Sequence, residues 1–242
     1  KNLIDNGIKV IDLAADFRIK NIKEWEKWYE MPHECPDIIE KAIYGLPEVN
    51  RNQIKNAQLV ANPGCYPTAI QLALVPLLKE GLIDPLSIIA DAKSGISGAG
   101  KKTQDGLLLS EASENFKAYS LSGHRHQPEI EENLSQNSKN GKVRVLFVPH
   151  LLPMVRGIHA TIYANCIKDF DPSKIFNNFY DKEPFVDIMK ANSCPETKSV
   201  RASNVCRISF YKVPNTQQLV ILSVIDNLVK GAAGQALQNM NI

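Results

Sequence analysis

The first third of the chain alternates short apolar runs with charged or turn-forming stretches. The apolar runs at residues 8–17 and 58–62 predict buried strands, and the charged stretch at residues 21–30 is compatible with a helix. Pro63 and Gly64 form a strong turn signal directly after the second strand. We expect these elements to belong to a parallel α/β layer.

A helix is predicted directly after Cys65, with Pro67 suited to its first turn. Ile70, Leu74 and Leu78 recur at every fourth position, which places them on one helix face. Gly81 supplies a stop signal for the helix. The order strand, tight turn, helix therefore puts Cys65 at the carboxyl edge of the predicted sheet.

The rest of the chain contains longer strand candidates. Strands are predicted in residues 87–94, 142–151, 156–166, 204–213 and 217–226. Helices are predicted in residues 105–116, 126–137, 172–180 and 227–242. Pro214 and Asn215 separate the last two strands, as in an antiparallel meander. We therefore expect an α/β unit followed by an α+β unit, with the C-terminal helix packed back on the first.

Composition excludes several classes of protein. The 242 residues are enough for one large or two modest domains, and the formal net charge of +2 predicts neither a nucleic-acid nor a membrane-surface partner. No apolar run approaches the ~20 residues of a membrane span. The five cysteines are an odd number and form no Cys-x-x-Cys pair, which argues against a disulfide framework and favours a reducing cytosol or organelle matrix.

Cys65 is the first candidate for chemistry. A thiol at a helix N-terminus lies near unpaired N–H groups and the positive end of the helix dipole, and both favour the thiolate. The alternative is a small buried hydrophobe, because free cysteine is among the most buried residue types. The residues alone leave both interpretations open. The other cysteines are interpreted as structural: Cys35, Cys166, Cys194 and Cys206.

A nucleophilic cysteine needs a base or a cationic partner. His124 and His126 would point to the same side of an extended segment, and Arg125 and Glu129 add a cation and a possible orienter for an imidazole. A metal site is the alternative for this His-x-His pair, but no further ligand occurs at a recognisable spacing. No metal is predicted. The other histidines are interpreted as structural or loop residues: His33, His150 and His159.

The glycine-rich segment at residues 95–102 partly matches a phosphate-binding loop. Gly95, Gly100 and Lys101 have the required spacing, but Lys102 stands where such a loop needs Ser or Thr for Mg²⁺. Binding of Mg-ATP is therefore weakly supported. A backbone that approaches a phosphate or a nicotinamide and an ordinary surface loop both remain open.

Taken together, the motifs resemble those of the N-acetyl-γ-glutamyl-phosphate reductase family of arginine biosynthesis. The matching stretches, in order, are VIDLAADFR (10–18), YGLPE (44–48), ANPGCYPTA (61–69), SGISGAG (94–100), HRHQPEI (124–130), PHLLPMVRGI (149–158) and SVIDNLVKGAAGQALQNMN (223–241). The resemblance covers nearly the whole chain. More distantly, the chain is similar to aspartate-semialdehyde and glyceraldehyde-3-phosphate dehydrogenases.

The resemblance implies that Cys65 attacks an acyl phosphate, that the thioester accepts hydride from NADPH, and that a semialdehyde is released. His126 would be the acid and base, although His124 could exchange roles with it. The implied substrate-binding residues are His124, Arg125, Glu129 and Arg156. The implied cofactor contacts are Ser94, Gly95, Ser97, Gly98 and Asn227.

For the fold, the resemblance implies a partial Rossmann-like dinucleotide-binding domain and an α+β catalytic and dimerisation domain with a mostly antiparallel sheet. Residues 1–65 and 227–242 would form the first, and residues 66–226 the second. The chain departs from the family because it contains no G-x-G-x-x-G fingerprint, so we expect an N-terminal segment needed for cofactor binding to be missing. A cytoplasmic homodimer or homotetramer is expected by analogy.

Three alternatives remain at this point. The chain could be a sibling reductase that acts on an aminoadipyl phosphate in lysine biosynthesis, which a substrate panel would distinguish. It could be a hydrolase that uses Cys65 and His126, which would release free acid without a cofactor. It could also be a non-catalytic fragment, whose behaviour would not depend on Cys65.

Overall fold

The computed structural model describes residues 1–100 and 108–242 and contains two sheets. The strands are β1 (Val10–Asp12), β2 (Ala42–Tyr44), β3 (Leu59–Ala61), β4 (Ile88–Gly95), β5 (Lys117–Ala118), β6 (Val145–Leu152), β7 (Ile158–Asn165), β8 (Val186–Ile188), β9 (Cys206–Lys212) and β10 (Gln218–Ile225). The α-helices are α1 (Asn2–Asp5), α2 (Ile22–Tyr29), α3 (Pro47–Lys55), α4 (Cys65–Lys79), α5 (Leu109–Ala112), α6 (His126–Gln136), α7 (Pro172–Tyr180) and α8 (Gly234–Met240). A π-helical turn, Val229–Ala233, precedes α8.

The small sheet is parallel, with β3 between β1 and β2. Leu59 and Ala61 belong to one apolar cluster and Val60 to another, as the alternation of side chains along a strand requires. The strand predicted at residues 8–17 is shorter in the structure. It ends at Asp12, whose Oδ1 accepts the N–H of Ala14 at 3.1 Å and turns the chain.

The large sheet has seven strands in the order β5-β6-β4-β7-β10-β9-β8. The meander of β7, β10 and β9 is antiparallel, as predicted. Two pairs are parallel, β4 with β6 and β8 with β9, so the sheet is mixed. The parallel pair β4 and β6 requires a crossover, and α6 lies in that connection.

The two faces of the large sheet differ in what covers them. Helices α4, α6 and α7 pack on one face and enclose the main core. On the opposite face, large side chains remain exposed on the neighbouring strands β6, β4 and β7 and, beyond β10, on β9: Leu146, Ile89, Tyr163 and Tyr211. No helix among residues 1–100 and 108–242 is long and apolar enough to cross a membrane.

Helix α4 runs through the main core. The predicted apolar stripe of Ile70, Leu74 and Leu78 is buried, but so is every residue from 66 to 78, which makes the helix a central one rather than an amphipathic one. Pro76 lies inside it and has no N–H for the carbonyl of Leu72. The hydroxyl of Tyr180 on α7 donates to that carbonyl at 2.5 Å.

The C-terminal segment was predicted as one helix and divides into the π-helical turn and α8. Helix α8 contacts α3 and β1, so it packs back on the small sheet. Asn239 on α8 donates to the carbonyl of Gly45 at 2.9 Å and to Oδ1 of Asn62 at 3.1 Å. A Cβ at Gly45 would lie 2.6 Å from the Asn239 amide nitrogen, so this close approach requires glycine.

Part of the chain lies outside the described residues. Lys101 and Lys102, on which the phosphate-loop hypothesis depends, are among them. The helix predicted at residues 105–116 falls partly there, and α5 occupies its described portion.

Candidate active site

Cys65 is the first residue of α4 and is half-buried. Gly64 precedes it as the N-cap residue in an extended conformation, with φ −69° and ψ 160°. The N–H of Gly64 donates to Oε1 of Glu129 at 2.8 Å, and its carbonyl accepts the Thr68 hydroxyl at 2.9 Å. Both backbone groups of Gly64 are therefore held by buried side chains on two helices.

Gly64 leaves room for two functional side chains. A Cβ at Gly64 would lie 2.5 Å from Nε2 of His126 and 3.1 Å from Nη1 of Arg18. The imidazole of His126 therefore lies directly against the residue that precedes Cys65. Any larger residue at position 64 would displace it.

The Cys65 thiol is protonated at neutral pH in this environment. Burial raises its pKa to about 11, while the N–H groups of Tyr66 and Cys65 and the charge of Arg18 act in the opposite direction. The prediction that the helix N-terminus favours the thiolate is right for the backbone contribution. It is wrong for the pKa as a whole, which lies above the ordinary value of a thiol because desolvation is the larger effect.

His124 and His126 lie together but have different partners. Their ring centroids are 4.9 Å apart, and burial lowers the pKa of each to about 3, so both are neutral. Nδ1 of His124 accepts the backbone N–H of His126 at 3.0 Å, which leaves the proton of neutral His124 on Nε2. Nε2 of His124 lies 3.4 Å from the Tyr119 hydroxyl.

His126 keeps a ring nitrogen free. It is the first residue of α6, which confirms the helix predicted at residues 126–137, and its ring lies beside that of His124. Its buried Nδ1 has no hydrogen-bond partner among residues 1–100 and 108–242. The structure thus distinguishes two histidines that the sequence left equivalent, because Nδ1 of His124 accepts a backbone N–H whereas Nδ1 of His126 accepts none from the described residues.

Glu129 lies behind the turn rather than in the open site. Its side chain is 1% exposed, and its Oε1 accepts the Tyr44 hydroxyl at 2.8 Å in addition to the Gly64 N–H. Gln71 donates to the Tyr44 hydroxyl at 2.9 Å. The carboxylate is thus engaged with the turn, and its predicted contact with substrate stays a prediction.

Arg18 is a site residue that the sequence reasoning missed. Its Nη1 lies 3.6 Å from Oε2 of Glu129, and its Nη2 donates to the carbonyl of Leu13 at 2.7 Å. Arg18, Tyr44 and Gln71 all converge behind Cys65. Arg18 and Tyr44 lie in two of the motifs that carried the resemblance, which was the available signal.

The predicted cofactor loop is tied to two other segments. Asn227 accepts the N–H of Gly157 at 2.6 Å through Oδ1 and donates to Oγ of Ser97 at 3.0 Å through Nδ2. A Cβ at Gly98 would lie 2.6 Å from Oγ of Ser94. The structure therefore brings the predicted residues of this loop together with Asn227, and the amide of Asn227 is engaged within the protein.

The predicted arginines have separate environments. Nη1 of Arg156 lies 3.4 Å from Oδ2 of the fully buried Asp226, and a Cβ at Gly95 would lie 2.8 Å from the backbone nitrogen of Arg156. Arg156 thus borders the Ser94–Gly98 segment. Arg125 is exposed, and its guanidinium carbon lies 5.1 Å from the ring centroid of Tyr29 on α2.

The fold and the site described above are those of the semialdehyde dehydrogenase class, as two family models show. A family model described as a semialdehyde dehydrogenase dimerisation domain matches residues 65–227, and one described as a semialdehyde dehydrogenase NAD binding domain matches residues 1–57. The predicted nicotinamide dinucleotide cofactor is confirmed at this level.

Solved structures agree on the fold. Aspartate semialdehyde dehydrogenase II from Vibrio cholerae superposes with a TM-score of 0.72 at 16% identity, over 98% of this chain and 73% of that one. Aspartate semialdehyde dehydrogenase from Francisella tularensis superposes with a TM-score of 0.63 at 16% identity, over 84% of this chain and 70% of that one. The predicted combination of a Rossmann-like part with a mostly antiparallel α+β part is confirmed.

Curated relatives identify the family. N-acetyl-gamma-glutamyl-phosphate reductase from Nitrosomonas europaea is 59% identical over 242 residues, which is 100% of this chain and 70% of that protein. The reductase from Thiobacillus denitrificans is 57% identical over 240 residues, 99% of this chain and 70% of that protein. The chain belongs to the N-acetyl-gamma-glutamyl-phosphate reductase family, an oxidoreductase family, and the predicted resemblance is confirmed.

Proposed function

We propose that this chain carries the catalytic centre of an enzyme of arginine biosynthesis that reduces N-acetyl-γ-glutamyl phosphate to the semialdehyde and phosphate, with NADPH as reductant. The observation that carries this proposal is the half-buried Cys65 at the start of α4, with the neutral imidazole of His126 against Gly64. Family membership supports the substrate class.

Cys65 is the proposed nucleophile. His126 accepts the thiol proton as Sγ attacks the acyl carbon, because a thiol with a pKa of about 11 is not ionised beforehand. An Sγ–C bond forms, the C–O bond to phosphate breaks, and phosphate leaves with the electron pair. Arg18, close to both Cys65 and Glu129, stabilises negative charge at the turn.

A nicotinamide dinucleotide, when bound, would supply the hydride that reduces the thioester. His126 is placed to hold the proton near the oxygen of the resulting thiohemiacetal and to pass it on as the Sγ–C bond breaks. His124 orients His126, because its Nδ1 accepts the N–H of that residue. The semialdehyde leaves, and Cys65 is again a thiol.

The carboxyl edge of the small sheet fits part of the cofactor. Asp12 ends β1 there, and its buried Oδ2 has no hydrogen-bond partner among the residues that the structure describes, so it could accept a hydroxyl of the ribose next to the nicotinamide. The loop of Ser94, Gly95, Ser97 and Gly98, held by Asn227, borders the nicotinamide in this proposal. The printed sequence has no glycine-rich fingerprint for the pyrophosphate, so the fit concerns the nicotinamide end.

Two arginines are proposed to bind anionic groups of the substrate. Arg156 has a partly exposed guanidinium oriented by buried Asp226, which suits a carboxylate or a phosphate. Arg125, exposed above Tyr29, is a second candidate. Glu129 is proposed as a residue that orients the turn. We propose residues 1–65 with 227–242 as the cofactor domain and 66–226 as the catalytic domain.

The open face of the large sheet is proposed as the contact between copies of the chain. Ile89 pairs with Leu146 on one side and Tyr163 on the other, so their exposed side chains form one apolar row. Light scattering tests this proposal. Replacing Leu146 by Glu should give monomers at micromolar protein, and an unchanged oligomer would contradict it.

The function is tested by a phosphate-dependent assay. N-acetyl-glutamate semialdehyde and NADP⁺ are supplied to the wild-type protein and to Cys65→Ala, and NADPH formation is followed. The matched control is Cys194→Ala, which removes an exposed free thiol elsewhere. Activity that needs phosphate and Cys65 but not Cys194 supports the proposal. Activity on an aminoadipate semialdehyde alone would assign the sibling reaction, and a faster rate with NAD⁺ would correct the cofactor.

A further inference from the structure

Residues 44–48, the YGLPE motif, contact both sides of the turn that carries Cys65. On one side, the Tyr44 hydroxyl donates to Oε1 of Glu129 at 2.8 Å, and the same oxygen accepts the N–H of Gly64 at 2.8 Å. This connection holds the residue before the cysteine. Nothing in the proposed reaction uses the other end of the motif, Glu48.

Glu48 forms a fully buried ion pair on the other side. Its Oε1 accepts from Nζ of Lys230 at 2.6 Å, and both side chains are 0% exposed. Gln238 bridges the pair, since its Nε2 donates to the same oxygen at 3.0 Å and its Oε1 accepts from Lys230 at 2.7 Å. Helix α3, the π-helical turn and α8 are thereby joined by one cluster of side chains.

Gly231, the residue after Lys230, packs directly against Cys65 and forms one wall of the space around it. A Cβ at Gly231 would lie 2.6 Å from Cβ and 3.1 Å from Cα of Cys65. The π-helical turn is held a second time by Asn62, whose Nδ2 donates to the carbonyl of Ala232 at 3.1 Å. The position of this turn therefore sets how closely the wall approaches Cys65.

A buried ion pair is a poor device for stability alone. The cost of removing two charges from water commonly equals or exceeds their attraction, and an apolar pair of the same volume would do as well. A π-helical turn is a rare conformation that is frequent at functional sites. The Glu48–Lys230 pair is attached to the π-helical turn through Lys230, so it can hold that turn in one position.

We propose that Glu48 and Lys230 are positioning residues for Cys65. Their ion pair holds the π-helical turn so that Gly231 forms the wall of the thiol, while Tyr44 of the same motif holds the opposite side through Glu129. The inference rests on the proposed role of Cys65 as nucleophile.

The test is the double variant Lys230→Met/Glu48→Gln, which removes both charges and keeps the approximate volumes. We expect kcat to fall by about 100-fold, the loss typical of a displacement of about 1 Å, with a much smaller change in KM. Alkylation of Cys65 by iodoacetamide, followed by mass spectrometry of its peptide, should titrate at lower pH than in the wild type, because water then reaches the thiol. Arg18, Glu129 and His126 are unchanged in this variant. A shift in the pH dependence of alkylation therefore reports on how closely Gly231 packs against Cys65.

Two further variants make the result unambiguous. Gly231→Ala moves the same wall without touching a buried charge and should also lower kcat and shift the alkylation profile. Tyr180→Phe is the control, because it removes a buried hydrogen bond in the middle of α4 and should lower the melting temperature with kcat and the profile unchanged.

Wild-type kcat and alkylation profile in a folded double variant would overturn the inference. If the double variant does not fold, an unchanged kcat in Gly231→Ala overturns it equally. Failure of the proposed function is a separate outcome, seen as absence of reductase activity in the wild type, whereas alkylation needs neither substrate nor cofactor.

Discussion

The first turn of α4 and its middle both contain backbone groups that lack a partner within the helix, and they satisfy them differently. In the middle, Pro76 leaves the carbonyl of Leu72 free, and the Tyr180 hydroxyl binds it. The middle of the helix is packed within the main apolar core. This arrangement contributes stability and offers nothing to a ligand.

At the first turn, Glu129 binds the Gly64 N–H, but polar capacity remains unused. Oε2 of Glu129, Nδ1 of His126 and Nε of Arg18 are buried without hydrogen-bond partners in the described part of the chain. Unsatisfied buried groups are costly in a folded protein. Three such groups lie together beside Cys65, which is the arrangement expected if this end of the helix is the site proposed above.

The largest expected effect is on catalysis at the first turn. His126→Asn should lower kcat by roughly 10²- to 10⁴-fold, the range for loss of a general acid and base. His124→Asn is the matched variant and should cost less, because His124 orients His126 through its Nδ1. Steady-state kinetics at constant pH measure both. A larger loss in His124→Asn would reverse the two roles.

The same end of the helix should make stability depend on pH. The pKa of His126 is lowered to about 3 in the folded protein, against 6.5 as the reference, so the unfolded chain binds the extra proton between these values. Stability is therefore lost as the pH falls through this window, by at most about 1.4 kcal/mol per pH unit for a single group.

Urea unfolding of wild type and His126→Asn at pH 7 and pH 5 measures this contribution. The variant should lose less stability than the wild type on acidification, because it has no imidazole at position 126 to protonate. An equal loss in both proteins would show that His126 does not titrate differently in the folded state.

The smallest effect is expected in the middle of the helix. Tyr180→Phe leaves the carbonyl of Leu72 unsatisfied and should lower the free energy of unfolding by about 1–2 kcal/mol, with kcat unchanged. Ser113→Ala, which removes an exposed hydroxyl, is the control and should change it by less than about 0.5 kcal/mol. A fall in kcat for Tyr180→Phe would show that the two ends of the helix are coupled.

Local patterns predicted much of the fold and part of the site. Apolar runs and the Pro63-Gly64 signal placed β3, the turn and α4, and the motif order indicated the family. The details that failed depend on contacts between distant residues. Arg18 was not identified as a site residue, and the burial of Glu129 was not foreseen, because it follows from Tyr44 and Gly64, which donate to its carboxylate. The helix predicted at residues 126–137, in contrast, is observed as α6.

The sequence by itself determined the order of elements and placed Cys65 at a helix start, because strand alternation, turn residues and helix starts act over a few neighbouring positions. Its ordered motifs indicated the family. Tertiary structure alone decided the state of that cysteine. Arg18, the α6 residues His126 and Glu129, and Gly231 come from three separate segments to surround Cys65. Desolvation depends on everything packed around a group, so the thiol is protonated although it lies at a helix N-terminus.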